Sequence, residues 1–243
     1  MIAEGNKMKN ITLNIDENEF RHTGEAFKSL RANVQFCGPD VHAIVVTSCL
    51  PGDGKSTISV GLGIALAEAG KRVLVVDADL RKSVMLNKFS DEVGVVGFSE
   101  FLSGQASIED VKFSTQYKGL DIIFSGQYPA NPAELLSSSA LKNFVEVQTG
   151  AYDYVILDTP PLGVVVDAAV VSSVCDSAIL VIPEGRIKSE LARKVKLQLE
   201  KSGAHIIGAV INKRLKKGVR YGSYYNGYYG KYGKYGKYGK NND

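Results

Sequence analysis

An α/β fold, with a mostly parallel central sheet covered by helices on both faces, is what this 243-residue chain predicts. Three observations carry the expectation. Short runs of Val, Ile, Leu and Ala recur as continuous apolar stretches, which suits strands buried on both faces. Stretches with helical spacing alternate with them. The composition, 44% hydrophobic and 23% charged, supplies a core and excludes collagen-like and wholly disordered chains.

In chain order, Ala43-Ile44-Val45-Val46-Thr47-Ser48 is the first buried strand, and it enters a Gly-containing loop. Ser56 to Ala69 follows with helical spacing and stops at Gly70. Val73 to Asp77 is the second strand and Leu120 to Phe124 the third, with a helical stretch near Ser139 to Val147 after it. Tyr154 to Asp158, Ala178 to Ile182 and Ile206 to Ile211 complete the strands. Between the last two, Ser189 to Lys201 reads as an amphipathic helix ending at Gly203. Ligands of such sheets bind at the carboxyl ends of the strands.

Other function classes drop out early. No apolar run approaches the roughly 18 residues of a membrane-spanning helix. Met1 to Met8 carries charge with no apolar stretch behind it, so no signal peptide is expected. Cys37, Cys49 and Cys175 are odd in number and lack metal-ligand spacing, which suits reduced thiols in a cytosolic protein. His22, His42 and His205 are scattered and are assigned no chemistry.

Charge divides the chain in two. The net charge is +3, yet Lys216 to Asp243 holds seven Lys and Arg against one acid, a net +6, leaving the body at −3. The expected organisation is therefore a domain over 1–215 and a separate tail over 216–243. The tail holds eight of the twelve tyrosines, Tyr221, Tyr224, Tyr225, Tyr228, Tyr229, Tyr232, Tyr235 and Tyr238, interleaved with Gly and Lys. Alternating glycine opposes a helix and no aliphatic side chain is there to pack, so a flexible, disordered tail is expected.

After the first strand stand Pro51, Gly52, Asp53, Gly54, Lys55, Ser56 and Thr57. Their second half matches a phosphate-binding loop, which makes the fold a P-loop NTPase. Gly54 lets the backbone approach a phosphate, Lys55 reaches the terminal phosphates and Ser56 offers a hydroxyl to Mg²⁺. Backbone amides at the start of the following helix add to the anion site. Cys49 occupies the place of the motif's first glycine. An ordinary strand-to-helix turn would also carry Gly and Asp; the position between a buried strand and a helix favours the phosphate loop.

Carboxylates end two of the strands. Asp77 and Asp79 follow the second, and Asp158 closes Tyr154 to Asp158. A carboxylate after a run of apolar residues is costly in a core unless partnered, and a hard cation or a reacting hydroxyl is a natural partner. Asn212-Lys213 follows the last strand, where nucleotide-binding folds often contact the base, though a simple loop also fits. Asp167 reads first as a helix N-cap and second as a carboxylate standing behind the site.

These residues together resemble the bacterial tyrosine kinases of capsule and exopolysaccharide biosynthesis (BY-kinases). Within them they resemble the CpsD/CapB-like kinase subunit that Gram-positive bacteria make as a separate cytoplasmic chain. The resemblance covers nearly the whole chain. Pro51 to Thr57 stands as Walker A, Asp77-Ala78-Asp79-Leu80-Arg81 as the extra Walker A′, Leu157-Asp158-Thr159-Pro160-Pro161 as Walker B, and Tyr221 to Tyr238 as the terminal tyrosine cluster. In a segment over about 19–37, Glu25, Lys28, Arg31 and Asn33 resemble the family's E-x-x-R-x-x-R-x-N self-association motif, with Lys28 in place of the first Arg.

The resemblance implies a protein-tyrosine kinase that uses ATP and Mg²⁺. It implies a homo-oligomeric ring, an octamer, in which each tail enters a neighbour's active site. It further implies a membrane polysaccharide co-polymerase as activator, a cognate tyrosine phosphatase, and a cytoplasmic chain recruited to the membrane through its activator. On that reading Pro51 to Thr57, Arg81 and Asn212 hold nucleotide, while Ser56, Asp79 and Asp158 hold Mg²⁺ directly or through water. Asp77 accepts the phenolic proton, with Asp79 as the alternative base. Two rival readings share some of these features. A ParA/MinD-like ATPase shares the fold but carries a further Lys five residues before the main one, where this chain has Leu50. A single-strand nucleic-acid binder would use the tail's tyrosines and lysines, but the acidic body argues against it, and no nucleic-acid partner is expected.

Overall fold

The structure, a computed structural model, describes residues 9–213, apart from the side chains of residues 17–22. The tyrosine cluster expected over Tyr221 to Tyr238 lies outside the described residues. In chain order these run β1 (Lys9–Ile11), α1 (Glu17–Phe36), β2 (Ala43–Ser48), α2 (Lys55–Glu68), β3 (Val73–Asp77), α3 (Met85–Phe89), α4 (Phe98–Leu102) and α5 (Ile108–Val111). There follow β4 (Lys112–Thr115), β5 (Leu120–Ile123), α6 (Pro132–Leu136), α7 (Ser139–Ala151), β6 (Tyr154–Asp158), α8 (Asp167–Ser172), β7 (Ser177–Pro183), α9 (Ser189–Lys201) and β8 (Ile206–Asn212).

The sheet order is β1-β4-β5-β3-β6-β2-β7-β8. From β5 to β8 every neighbouring pair is parallel. The expected mostly parallel sheet is present, and its six long apolar strands are the six expected ones. Strand β4 turns back antiparallel on β5 and brings β1 with it in parallel, so one edge of the sheet runs the other way. The reversal follows from the connection: the few residues between Thr115 and Leu120, with Gly119 at φ 88°, are too short for a crossover and long enough for a hairpin.

Alternate strand residues feed two cores. Ile44, Val46, Val75, Ile122 and Ile156 pack with Phe27 and Val34 of α1 and Leu62, Ile64 and Leu66 of α2. On the other face Val45, Leu74, Val76, Ile123 and Leu157 pack with Phe144, Val171, Val195 and Leu199 of α7, α8 and α9. Gly61 lets α1 seat on α2: a Cβ there would stand 2.2 Å from the Phe27 ring. Among the described residues no helix is long and apolar enough to cross a membrane.

Candidate active site

Strand β2 delivers the chain into a loop whose Gly52 (φ 77°) and Gly54 (φ 97°) take left-handed backbone, a conformation that side-chain-bearing residues resist. Asp53 closes that loop from within, its Oδ2 accepting from Leu50 N–H at 2.7 Å. Gly54 then caps α2 without a side chain, and no acid stands in the first turn to compete with an anion for the free N–H groups. Cys49, in the motif's first-glycine place, is fully buried, and burial with Asp53 nearby pushes its thiol up to about 12. It is a packing residue. The loop after β6 crosses against it so closely that a Cβ on Gly163 would stand 2.1 Å from the Cys49 carbonyl.

The three strand-end aspartates meet the phosphate loop at Lys55. Its Nζ lies 3.2 Å from Asp79 Oδ2 and 3.5 Å from Asp158 Oδ2, with all three residues buried. Asp77 and Asp158 are register partners on adjacent strands. Burial and the neighbouring Asp158 push Asp77 up to about 8, against the opposing pull of Ser83 and Lys55. Burial also raises Asp158, although Lys55 counters it. Burial alone would lower the Lys55 ammonium; Asp158, Asp79 and Asp77 outweigh that and raise it. Three carboxylates thus face one ammonium in a dry rim. Asp158 Oδ2 is buried without a hydrogen-bond partner, which marks a position for a ligand.

Other residues hold this group in place and had no signal in the sequence. Ser83 donates its hydroxyl to Asp77 Oδ2 and accepts from Met85 N–H at 3.1 Å. Tyr128 O–H donates to the Ser83 carbonyl at 3.1 Å. Ser59, one turn along α2 from Lys55, reaches Asp158 Oδ1 at 3.1 Å. Lys88 Nζ donates to Thr57 Oγ1 at 2.5 Å.

The remaining expected residues are placed as follows. Arg81 forms a two-bond fork with Asp167, Nε to Oδ2 at 2.6 Å and Nη2 to Oδ1 at 2.9 Å. That corrects the capping expectation for Asp167: Val166 is the N-cap, and Asp167 is the first helical residue with both oxygens turned to Arg81. Asn212 Nδ2 donates to the Asp53 carbonyl at 2.9 Å, which places it on the phosphate loop. In α1, Glu25 and Lys28 pair on the exposed surface at 2.7 Å and Asn33 is exposed. Arg31 turns inward and donates Nη1 to the Ala65 carbonyl of α2 at 3.0 Å, so it already ties α1 to the body.

Residues 41–190 match the AAA domain family. The chain is 39% identical over 206 residues to the tyrosine-protein kinase CpsD of Streptococcus agalactiae, spanning 85% of this chain and 90% of that one. It is 39% identical over 203 residues to the tyrosine-protein kinase YwqD of Bacillus subtilis, spanning 82% and 85%. Among solved structures it superposes on the chimerical protein CapA2B2 with a TM-score of 0.77 at 33% identity, covering 86% of this chain and 95% of that one. The MinD protein of Pyrococcus horikoshii, solved with Mg-ADP, matches at a TM-score of 0.58 and 25% identity, covering 70% of each chain.

Proposed function

The chain belongs to the bacterial tyrosine-protein kinases, in the group of Gram-positive capsule kinases, and on that premise we propose that it transfers the γ-phosphoryl group of ATP to tyrosines of its own terminal cluster. The observation that carries the reading is Lys55, buried between Asp79 and Asp158 at the mouth of the phosphate loop. The transfer runs mainly between subunits of a ring, an octamer, and is switched by a membrane co-polymerase and reversed by a phosphatase. Through it, polysaccharide polymerisation and export are regulated.

Phosphoryl transfer asks the protein chiefly to position groups and neutralise charge. Loop amides and Lys55 receive the phosphates. When phosphate oxygens draw Lys55 forward, Asp79 and Asp158 lose their cation, so the rim then favours a divalent one. Ser56, Asp79 and Asp158, with the unbonded Asp158 Oδ2, fit Mg²⁺. Among the described residues no three His, Cys, Asp or Glu could hold a metal unaided. Bound there, Mg²⁺ would supply charge neutralisation at the phosphates. Asp77, in its ionised form, accepts the phenolic proton, and Ser83 keeps one of its oxygens oriented. A phenol with a pKa near about 10 gains from such a base.

The MinD-like alternative shares the sheet but not the extra loop lysine, since Leu50 stands there. Incubation with ATP and Mg²⁺, read by anti-phosphotyrosine blot and phosphosite mapping, tests the reading. Signal confined to Tyr221 to Tyr238 and lost in the octuple Tyr→Phe tail supports it. ATP hydrolysis with no phosphotyrosine, in the presence of the activator's cytosolic end, overturns it.

A further inference from the structure

Two residues at the carboxyl end of β8 grip the phosphate loop from outside. Lys213 Nζ donates to the Gly52 carbonyl at 2.5 Å, and Asn212 Nδ2 donates to the Asp53 carbonyl at 2.9 Å. The approach is so close that a Cβ on Gly54 would stand 2.0 Å from Asn212 Nδ2. Glycine at 54 is therefore required by the strap as well as by its own φ of 97°. Lys213 itself sits at φ 52°, and among the described residues it is the one non-glycine with positive φ. That conformation is disfavoured for a lysine. The charge environment is unfavourable too: burial and the Arg186 guanidinium hold the Lys213 ammonium below the usual lysine range, with Lys88 adding to the effect and Asp53 opposing it. Backbone and electrostatics both oppose this placement, so the grip on the loop is what keeps Lys213 there.

The consequence follows from the peptide plane. In a trans peptide the C=O of one residue and the N–H of the next point in opposite directions. Holding the Gly52 carbonyl toward β8 turns Asp53 N–H the other way, and holding the Asp53 carbonyl does the same for Gly54 N–H. We infer that Asn212 and Lys213 are positioning residues for the nucleotide. They fix the outer carbonyls of the phosphate loop so that its amides stand ready for phosphate oxygens before any ligand arrives. The inference rests on the nucleotide reading of that loop. It gives Asn212 work on the loop backbone, where a base contact was expected from the sequence.

The test uses the full chain and a fluorescent ADP analogue with Mg²⁺. Lys213→Gly keeps the left-handed backbone and removes the side chain with its amine, Asn212→Ala removes the amide, and Lys213→Arg retains a cationic donor. Losing one preorganising hydrogen bond to the loop is expected to weaken ADP binding about fivefold to tenfold in each of the first two. Lys213→Arg should recover most of it. In turnover, KM for ATP rises by more than kcat falls, a split that general loss of folded protein would not produce. Melting curves without nucleotide confirm that each variant is folded. Wild-type ADP affinity in both Lys213→Gly and Asn212→Ala overturns the inference alone. Failure of the unsubstituted chain to bind ADP overturns the nucleotide reading, and the strap with it.

Discussion

Two ion pairs lie at the same rim of the sheet and are built in opposite ways. Arg81 and Asp167 form a closed fork: two short bonds and both carboxylate oxygens used, with the Arg81 side chain 29% exposed and Asp167 buried. Lys55 stands off from Asp79 and Asp158 at 3.2 and 3.5 Å, buried with them, and one Asp158 oxygen has no hydrogen bond. The first pair is complete and holds the loop after β3 to the start of α8. The second carries excess negative charge in a dry place, an arrangement that costs stability unless a cation and phosphates complete it. Satisfied charge is scaffold here, and unsatisfied charge is where a ligand belongs.

That contrast breaks most sharply on Lys55. Lys55→Met is predicted to lower phosphotyrosine formation by about 10³ or more, because transition-state charge loses its buried partner. Timed incorporation of labelled phosphate measures it, and a loss smaller than about tenfold would make the two pairs equivalent. Asp167→Ala addresses the other pair. Removing the buried carboxylate of this fork is predicted to cost about 2 kcal/mol, a drop in Tm of roughly 4–8 °C, since the partly exposed Arg81 can partly rehydrate. ADP affinity should move less than threefold. An unchanged melting curve would show that the fork holds nothing.

Legibility followed the range of the physics involved. The strands Val73–Asp77 and Tyr154–Asp158 stood in the sequence to the residue, because burial on both faces writes continuous Val, Ile and Leu and the chemistry follows at the strand end. The phosphate loop was readable for the same local reason. Lys9–Ile11 and Lys112–Thr115 were not: strands of three and four residues with polar side chains carry no apolar run. Helix α1 was visible only as a resemblance, although Phe27, Leu30 and Val34 already mark its buried stripe. The Arg81–Asp167 fork joins residues 86 apart, and no spacing rule connects them. Ser83 and Ser59 are single hydroxyls whose meaning depends on which carboxylate the fold brings near.

The finest probe of the contrast is pH. Asp77 stands at about 8 in the folded chain, raised from 3.8 by burial first and by Asp158 next. A carboxyl raised on folding stabilises the native state fully below its unfolded value. That contribution declines as pH climbs through the interval and is gone above the folded value. Asp77→Asn mimics the protonated form at every pH: the Asp79 N–H can still donate to its amide oxygen, and the Ser83 hydroxyl, which donates to the other carboxylate oxygen, can turn to accept from its NH2. The variant is therefore predicted to melt with the wild type near pH 4 and to exceed it at pH 8.5 by about 2–4 °C, a gain of about 1 kcal/mol. It loses phosphotyrosine formation throughout. Asp167→Asn, which breaks a satisfied fork, should instead melt lower at both pH values. If Asp77→Asn and wild type melt together at pH 8.5, the strain assigned to the open pair is absent, and the distinction between scaffold and poised charge at this rim fails.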